Sequence, residues 1–156
     1  MLKEILPLHT LLAFTAMREL RTGLTGDDFV ERVDTVQRRA GYRLVGAFPG
    51  DGVDAVAVAG SRVNTSLSWG RHVYIDDLST VASARRQGFA SQLLAWIHNE
   101  ADRLDCSHVH LDSGVGAERQ SAHRLYLNTG YVLPHGAVRR PTATSTSATH
   151  HQPRFV

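Results

Sequence analysis

Two neighbouring features of this sequence could form a catalytic or binding site: an acidic pair and a basic segment. Asp76 and Asp77 lie in an alternating apolar stretch, and the basic segment 85–91 follows them, with two arginines ahead of Gly88 and a helical pattern. The first amides of such a helix lack partners and carry roughly half a positive charge. The segment therefore predicts an anion site, and an ordinary surface helix start is the alternative.

The acidic pair suits either proton abstraction or the binding of a cation. A nucleophile that arrives protonated must first lose that proton, and a carboxylate is a weak base unless burial raises its pKa. Asp76 and Asp77 face opposite sides of an alternating strand, so only one enters a cleft unless a bulge intervenes. We favour Asp76 as the base, with cation binding as the alternative role. His72 and His123 are lesser candidates because imidazole titrates nearer neutrality.

Two N-terminal helices and a hairpin are predicted to precede these residues. Thr25 can cap the second helix and Gly41 can end it. The predicted buried stripes are Leu8, Leu11, Leu12, Ala16 and Leu20 in the first helix, and Phe29, Val33, Val36 and Ala40 in the second. A period of two then predicts strands at 42–48 and 53–63, joined by a turn over Pro49–Gly52.

The rest of the chain alternates between strands and helices. Strands are expected at 2–6, 72–81, 108–112 and 131–133. Helices are expected at 88–104 and 117–129, the first with an apolar face of Phe89, Leu93, Ile97, Ala101 and Leu104. This order predicts a mixed α/β sheet with helices on its faces.

The chain length predicts one domain. Of its 156 residues, we assign 1–140 to a single domain, 141–149 to a flexible polar loop rich in Thr and Ser, and 150–156 to a terminal strand or tail.

Composition excludes several classes of protein. The chain is 42% hydrophobic and 21% charged, typical of a globular protein, with a net charge of +2. Its arginines are too few and too mixed with acids for a nucleic-acid partner, and no apolar run reaches the ~20 residues of a membrane span. A single cysteine, Cys106, cannot form an intrachain disulfide. We therefore expect a cytoplasmic protein that binds neither nucleic acid nor membranes.

Two other motifs carry weaker interpretations. Gly114 and Gly116 suggest a dinucleotide fingerprint, but Arg119 occupies the third glycine position and too few residues follow for a second half. The histidine pairs at 108/110 and 150/151 lack a third ligand at a recognisable spacing, so no metal is expected.

Arg85-x-x-Gly88-x-Ala90 resembles the acyl-CoA-binding motif of the GNAT superfamily of N-acyltransferases, whose pattern is Gln/Arg-x-x-Gly-x-Gly/Ala. Residues 75–80 are similar to the family's fourth strand, and 122–131 to its Ala-x-x-x-Tyr-x-x-x-Gly-Phe/Tyr helix. The resemblance covers about residues 2–133. It implies a mixed, mostly antiparallel sheet with helices on both faces, in which the parallel central strands 73–81 and 108–112 splay apart.

The resemblance also implies site residues and a cosubstrate, acetyl-CoA, with no metal. Tyr126 falls where the family places the acid that protonates the departing thiolate, and Asp76 and Asp77 lie near the amine. Arg119 stands where family members often carry Asn, and the family's long final strand is not evident after residue 133. The implied cofactor-binding residues are Leu78, Ser79, Thr80, Arg85, Arg86, Gln87, Gly88, Phe89, Ala90, Ser91, Arg119 and Tyr126.

These implications predict an acetyltransferase that moves an acetyl group from acetyl-CoA to a primary amine of a small cationic metabolite. Tyr126, Asp76 and Asp77 are the candidate catalytic residues, and a homodimer is the assembly we allow for. The alternative is a protein of this fold that binds CoA as a sensor or scaffold, or catalyses another reaction in the same cleft.

Overall fold

A computed structural model describes residues 1–50, 52–113 and 120–132, and the backbone of 137–141. Within these residues the chain forms one sheet whose spatial order follows the chain: β1 Leu2–Glu4, β2 Arg43–Ala47, β3 Ala57–Ser66, β4 Gly70–Thr80, β5 His108–Asp112 and β6 Ala137–Pro141. Neighbouring strands are antiparallel except β4 and β5, which are parallel. The predicted mixed sheet is confirmed.

The α-helices lie on both faces of this sheet. They are α1 Phe14–Met17, α2 Gly26–Arg32, α3 Phe89–Arg103 and α4 Gln120–Asn128. The predicted apolar face of α3 is confirmed, because Leu93, Ile97 and Ala101 are fully buried on one side of the sheet. Burying a Leu or Ile side chain contributes about 1.5–3 kcal/mol. Helices α1 and α2 cover the other side, and α4 joins the α3 side through Tyr126.

The two parallel strands part midway along β4. Their pairing ends at Ile75 opposite Leu111, while β4 continues to Thr80 paired only with β3. The register also shifts, because Asp77 lies opposite Gly60 and Ile75 opposite Ser61. Asp76 is therefore the extra residue of a β-bulge at the point where the strands separate.

The first N-terminal helix is shorter than predicted and buries a different stripe. A 3₁₀ turn over Thr10–Ala13 leads into the four-residue α1. The buried side chains are Thr10, Ala13, Ala16 and Met17, whereas Leu8 and Leu11 are exposed. The small residues allow α1 to approach the sheet closely, and the Ser79 hydroxyl donates a hydrogen bond of 2.7 Å to the Ala16 carbonyl.

The second helix starts and ends as predicted, but its buried stripe is interrupted. Thr25 caps it and Gly41 ends it with φ +83°. A π-helical turn over Val33–Gln37 inserts one residue into the period, so Val36 is exposed. Gln37 instead turns inward, where its side-chain oxygen accepts a hydrogen bond from Arg62.

Two strand predictions are corrected. Strand β3 starts at Ala57 rather than Val53, because Val53 is exposed in the loop after Pro49. Within the described residues the final strand is Ala137–Pro141, and of the predicted strand 131–133 Val132 forms only an isolated bridge. This strand pairs with every residue of β5, and it follows the predicted position in the chain. Residues 142–156 lie outside the described part, as does Leu133. No helix in the described residues has the length and hydropathy of a membrane span.

Candidate functional site

A cleft of about 850 Å³ opens where β4 separates from β5. Ten of its lining residues belong to the predicted cofactor set: Leu78, Ser79, Thr80, Arg85, Arg86, Gly88, Phe89, Ala90, Ser91 and Tyr126. The end of β4, the loop and first turn that lead into α3, and one face of α4 supply them, and α4 is distant in sequence from the other two. The sheet and its helices thus bring most of the predicted residues together.

The α3 N-terminus presents open backbone amides to this cleft. Gly88 is the N-cap residue at φ +85°, and no side chain caps the helix. A Cβ atom at Gly88 would meet nothing within 4 Å, so the approach is clear. Uncapped first-turn amides at the positive end of a helix macrodipole form a binding site for anions such as phosphate.

The two arginines ahead of Gly88 have different environments. Arg85 donates to the Thr80 carbonyl at 3.3 Å and to the Glu19 carboxylate at 3.1 Å. Arg86 is exposed, has φ +62° and forms no ion pair with the described residues. Arg85 therefore ties the loop to β4 and to Glu19, whereas the guanidinium of Arg86 is available to an incoming anion.

One described member of the predicted cofactor set is not part of the cleft lining, and one member is not described. Gln87 does not line it and donates instead to the Ser83 carbonyl at 3.0 Å. Arg119 lies outside the described residues.

Tyr126 combines a packing role with a place on the cleft wall. It is 7% exposed, belongs to the α3-side core and lines the cleft from α4. Its ring lies 5.9 Å from that of Tyr131 in an edge-on arrangement. Packing fixes the ring, so its position at the cleft is defined before any ligand binds.

The acidic pair lies next to the cleft rather than on its lining. Asp76 accepts a hydrogen bond of 2.9 Å from Arg62, and Asp77 accepts one of 2.7 Å from the Tyr42 hydroxyl. Arg21 forms an ion pair of 2.7 Å with Asp77. The Arg62 guanidinium lies 5.8 Å from the centre of the Tyr42 ring, so both carboxylates contact one cluster of side chains. The bulge removes the strict alternation that would have separated them.

Burial raises the pKa of two groups in this cluster, Asp76 and Tyr42. It raises the pKa of Asp76 because desolvation outweighs the favourable pair with Arg62. It also raises the pKa of Tyr42 well above its usual value, with the Asp77 charge adding to the effect. Asp76 is consequently a stronger base than an exposed aspartate.

The predicted histidine alternatives lie elsewhere. His72 is buried near the start of β4, with its Nδ1 atom 2.9 Å from the Gly70 carbonyl, and His123 is half-buried on α4. Neither lines the cleft. Among the described residues, no three His, Cys, Asp or Glu side chains are grouped to hold a metal ion.

Sequence reasoning missed several residues of the cleft. Ser121, Ala122 and Leu125 precede Tyr126 on α4, and the helical period carried a signal for Ala122 and Leu125. Glu19 and Leu20 line the opposite wall, and no local pattern identified them. Their place depends on the long-range packing of α1 on β4.

The cluster of Tyr42, Arg62, Asp76 and Asp77 at the bulge depends on the absence of a side chain at Gly60. A Cβ atom there would overlap the ring and hydroxyl of Tyr42. We expect Gly60→Ala to destabilise the fold by about 1–3 kcal/mol in urea denaturation, the usual cost of overpacking. Gly23→Ala is the matched control, since a Cβ at this exposed position meets nothing within 4 Å. Equal stability of both variants would show that Tyr42 moves aside at little cost.

Comparisons with known proteins agree with this geometry. A family model described as the acetyltransferase (GNAT) family matches residues 14–131. YhdJ of Bacillus subtilis strain 168, named an uncharacterized N-acetyltransferase, is 29% identical over 130 residues, which cover 83% of this chain and 89% of YhdJ. Aminoalkylphosphonate N-acetyltransferase of Salmonella typhimurium is 36% identical over 61 residues, 39% of this chain and 38% of that protein. A GNAT-family protein from Desulfovibrio desulfuricans superimposes with a TM-score of 0.71 at 16% identity, covering 92% of this chain and 99% of that protein.

Proposed function

Because the chain belongs to the acetyltransferase (GNAT) family, we propose that it transfers the acetyl group of acetyl-CoA to the primary amine of a small metabolite, which arrives as a cationic ammonium. One observation carries this proposal. The cleft at the unpaired end of β4 has the uncapped N-terminus of α3 and Tyr126 on its wall, and the acidic bulge of β4 lies next to it.

The residues of the cleft fit acetyl-CoA. The first-turn amides of α3 and the Arg86 guanidinium suit its phosphates, and the edge of β4 beyond Ile75 has no strand partner on the β5 side, so its backbone can pair with an extended amide chain. Bound there, acetyl-CoA supplies a thioester carbonyl open to attack by an amine. Backbone amides aimed at such an oxygen stabilise the developing charge by about 2.7–4 kcal/mol where this has been measured.

Tyr126 is the proposed general acid. Its hydroxyl gives a proton to the sulfur as the carbon–sulfur bond breaks, and a thiolate leaves less readily without that proton. Its location on the cleft wall and its packed ring support this role.

Asp76 is the proposed base. The carboxylate must be ionised to take a proton, and burial raises its pKa, so kcat should fall with decreasing pH at a higher pH than for an exposed aspartate. We expect Asp76→Asn to lower kcat and remove this acidic limb from the pH profile at saturating amine. Asp27→Asn, an exposed acid of α2, is the control and should keep the limb. An unchanged limb in Asp76→Asn would assign the proton to another group.

The experiment that tests the proposed function is thiol release from acetyl-CoA across a panel of primary amines. The panel pairs each amine with the alcohol of the same skeleton, for example ethanolamine derivatives, amino sugars, polyamines and 2-aminoethylphosphonate. A small acceptor is supported by the name of the Salmonella relative, whose aminoalkylphosphonate is a small amine. The proposal predicts turnover of at least one amine and none of the matched alcohol. Preference for hydroxyl compounds, or no release with any acceptor, would overturn it.

A further inference from the structure

We propose that Asp112 binds the ammonium group of the acceptor, an inference that rests on the proposed acetyl transfer to an amine. Asp112 is the last residue of β5 and follows Leu111, the last β5 residue paired with β4. It therefore lies across from Asp76, at the point where the two strands part. No sequence motif pointed to it.

The charges around the three carboxylates at this point differ. Asp76 is paired with Arg62 at 2.9 Å, and Asp77 with Arg21 at 2.7 Å. Asp112 accepts a hydrogen bond of 2.5 Å from the Tyr74 hydroxyl and forms no ion pair within the described part of the chain. A neutral hydroxyl orients a carboxylate without cancelling its charge. Among the side chains that the structure describes, no guanidinium compensates the negative charge of Asp112, in contrast to Asp76 and Asp77.

Two properties make Asp112 suitable for binding a cation. Its side chain is exposed, so an ammonium reaches it from solvent without a buried path. The Tyr74 hydroxyl remains a donor at neutral pH, because burial and the hydrogen bond to Asp112 raise the pKa of Tyr74 to about 12. The carboxylate therefore stays oriented at the point where β4 and β5 part and attracts a positive charge there.

Asp112→Asn tests the charge alone, because asparagine keeps an oxygen that can accept the Tyr74 hydrogen bond. The probe is the primary amine that wild type turns over fastest in the thiol-release panel. We expect the KM for that amine to rise roughly tenfold at pH 7, with a smaller change in kcat and no comparable change in the KM for acetyl-CoA. Thermal melting of the variant checks that the fold is retained.

Tyr74→Phe is the matched control, because it removes the hydrogen bond and keeps the Asp112 charge. The inference predicts that this variant raises the amine KM less than Asp112→Asn does. An amine KM unchanged in Asp112→Asn, or raised more by Tyr74→Phe, would overturn it and leave Asp112 as a structural link between β4 and β5. If wild type acetylates no amine, the proposed function itself fails. That outcome differs from one in which wild type acetylates an amine and Asp112→Asn leaves the KM for that amine unchanged.

Discussion

Replacing Tyr126 by Phe should lower kcat by ~10²–10⁴-fold, the usual contribution of a general acid, while the Kd for acetyl-CoA should stay nearly unchanged. Proton donation is needed only as the carbon–sulfur bond breaks, so its loss affects the transition state and not ground-state binding. The ring stays in place because phenylalanine keeps the packing against Tyr131. Single-turnover kinetics and isothermal titration with acetyl-CoA measure the two quantities separately.

Tyr131→Phe is the control for this experiment. Its hydroxyl lies 2.7 Å from His98 Nε2, deep in the core and away from the cleft lining, so its removal also deletes a buried hydroxyl. We expect a loss of stability without a comparable loss of kcat. Equal kcat values for wild type and Tyr126→Phe would limit Tyr126 to packing.

Replacing Gly88 by Glu should abolish the stabilisation of the fold by acetyl-CoA. A ligand that binds only the native state raises the free energy of unfolding by about 2.7 kcal/mol at a hundredfold excess over its Kd, and we expect this for wild type with acetyl-CoA. A carboxylate at Gly88 would occupy the space before the α3 amides and repel the phosphates, because the position is open and lines the cleft. Thermal melts with and without saturating acetyl-CoA measure the difference.

Gly41→Glu separates backbone strain from loss of the phosphate site. Gly41 has φ +83°, Gly88 has φ +85°, and a Cβ at either position meets nothing within 4 Å. Both variants should lose about 1–2 kcal/mol of stability, the cost of a left-handed conformation for an L-residue. Only Gly88→Glu should lose the response to acetyl-CoA. A normal response in this variant would show that the phosphates do not bind at the α3 N-terminus.

The parts of the site that follow local rules were predictable from the sequence. The start of α3 combines a permissive glycine with an amphipathic run, and both signals are contained within a few residues. The same holds for β4 and for the α4 face that carries Tyr126. Their relative arrangement follows from the resemblance to the family motifs, and the described structure places them around one cleft.

The remaining features depend on contacts between distant residues. The bulge at Asp76 arises from the register of β3 against β4, and the tight fit of Tyr42 against Gly60 sits beside it. The π turn inserts one residue into the hydrophobic period of the second helix. As a result, the side chain of Gln37 reaches Arg62 and accepts a hydrogen bond from it. Neither signal lies in a single window of sequence. For the same reason the pairing of both aspartates with arginines was not foreseen.

Mass-spectrometric identification of the product formed from acetyl-CoA and the best amine of the panel tests the proposed acetyl transfer most directly. We expect one acetyl group on the amine nitrogen, produced in step with free CoA, and we expect Gly88→Glu to form neither product at a comparable rate. Acetylation of an oxygen, or release of CoA with the amine unchanged, would contradict it.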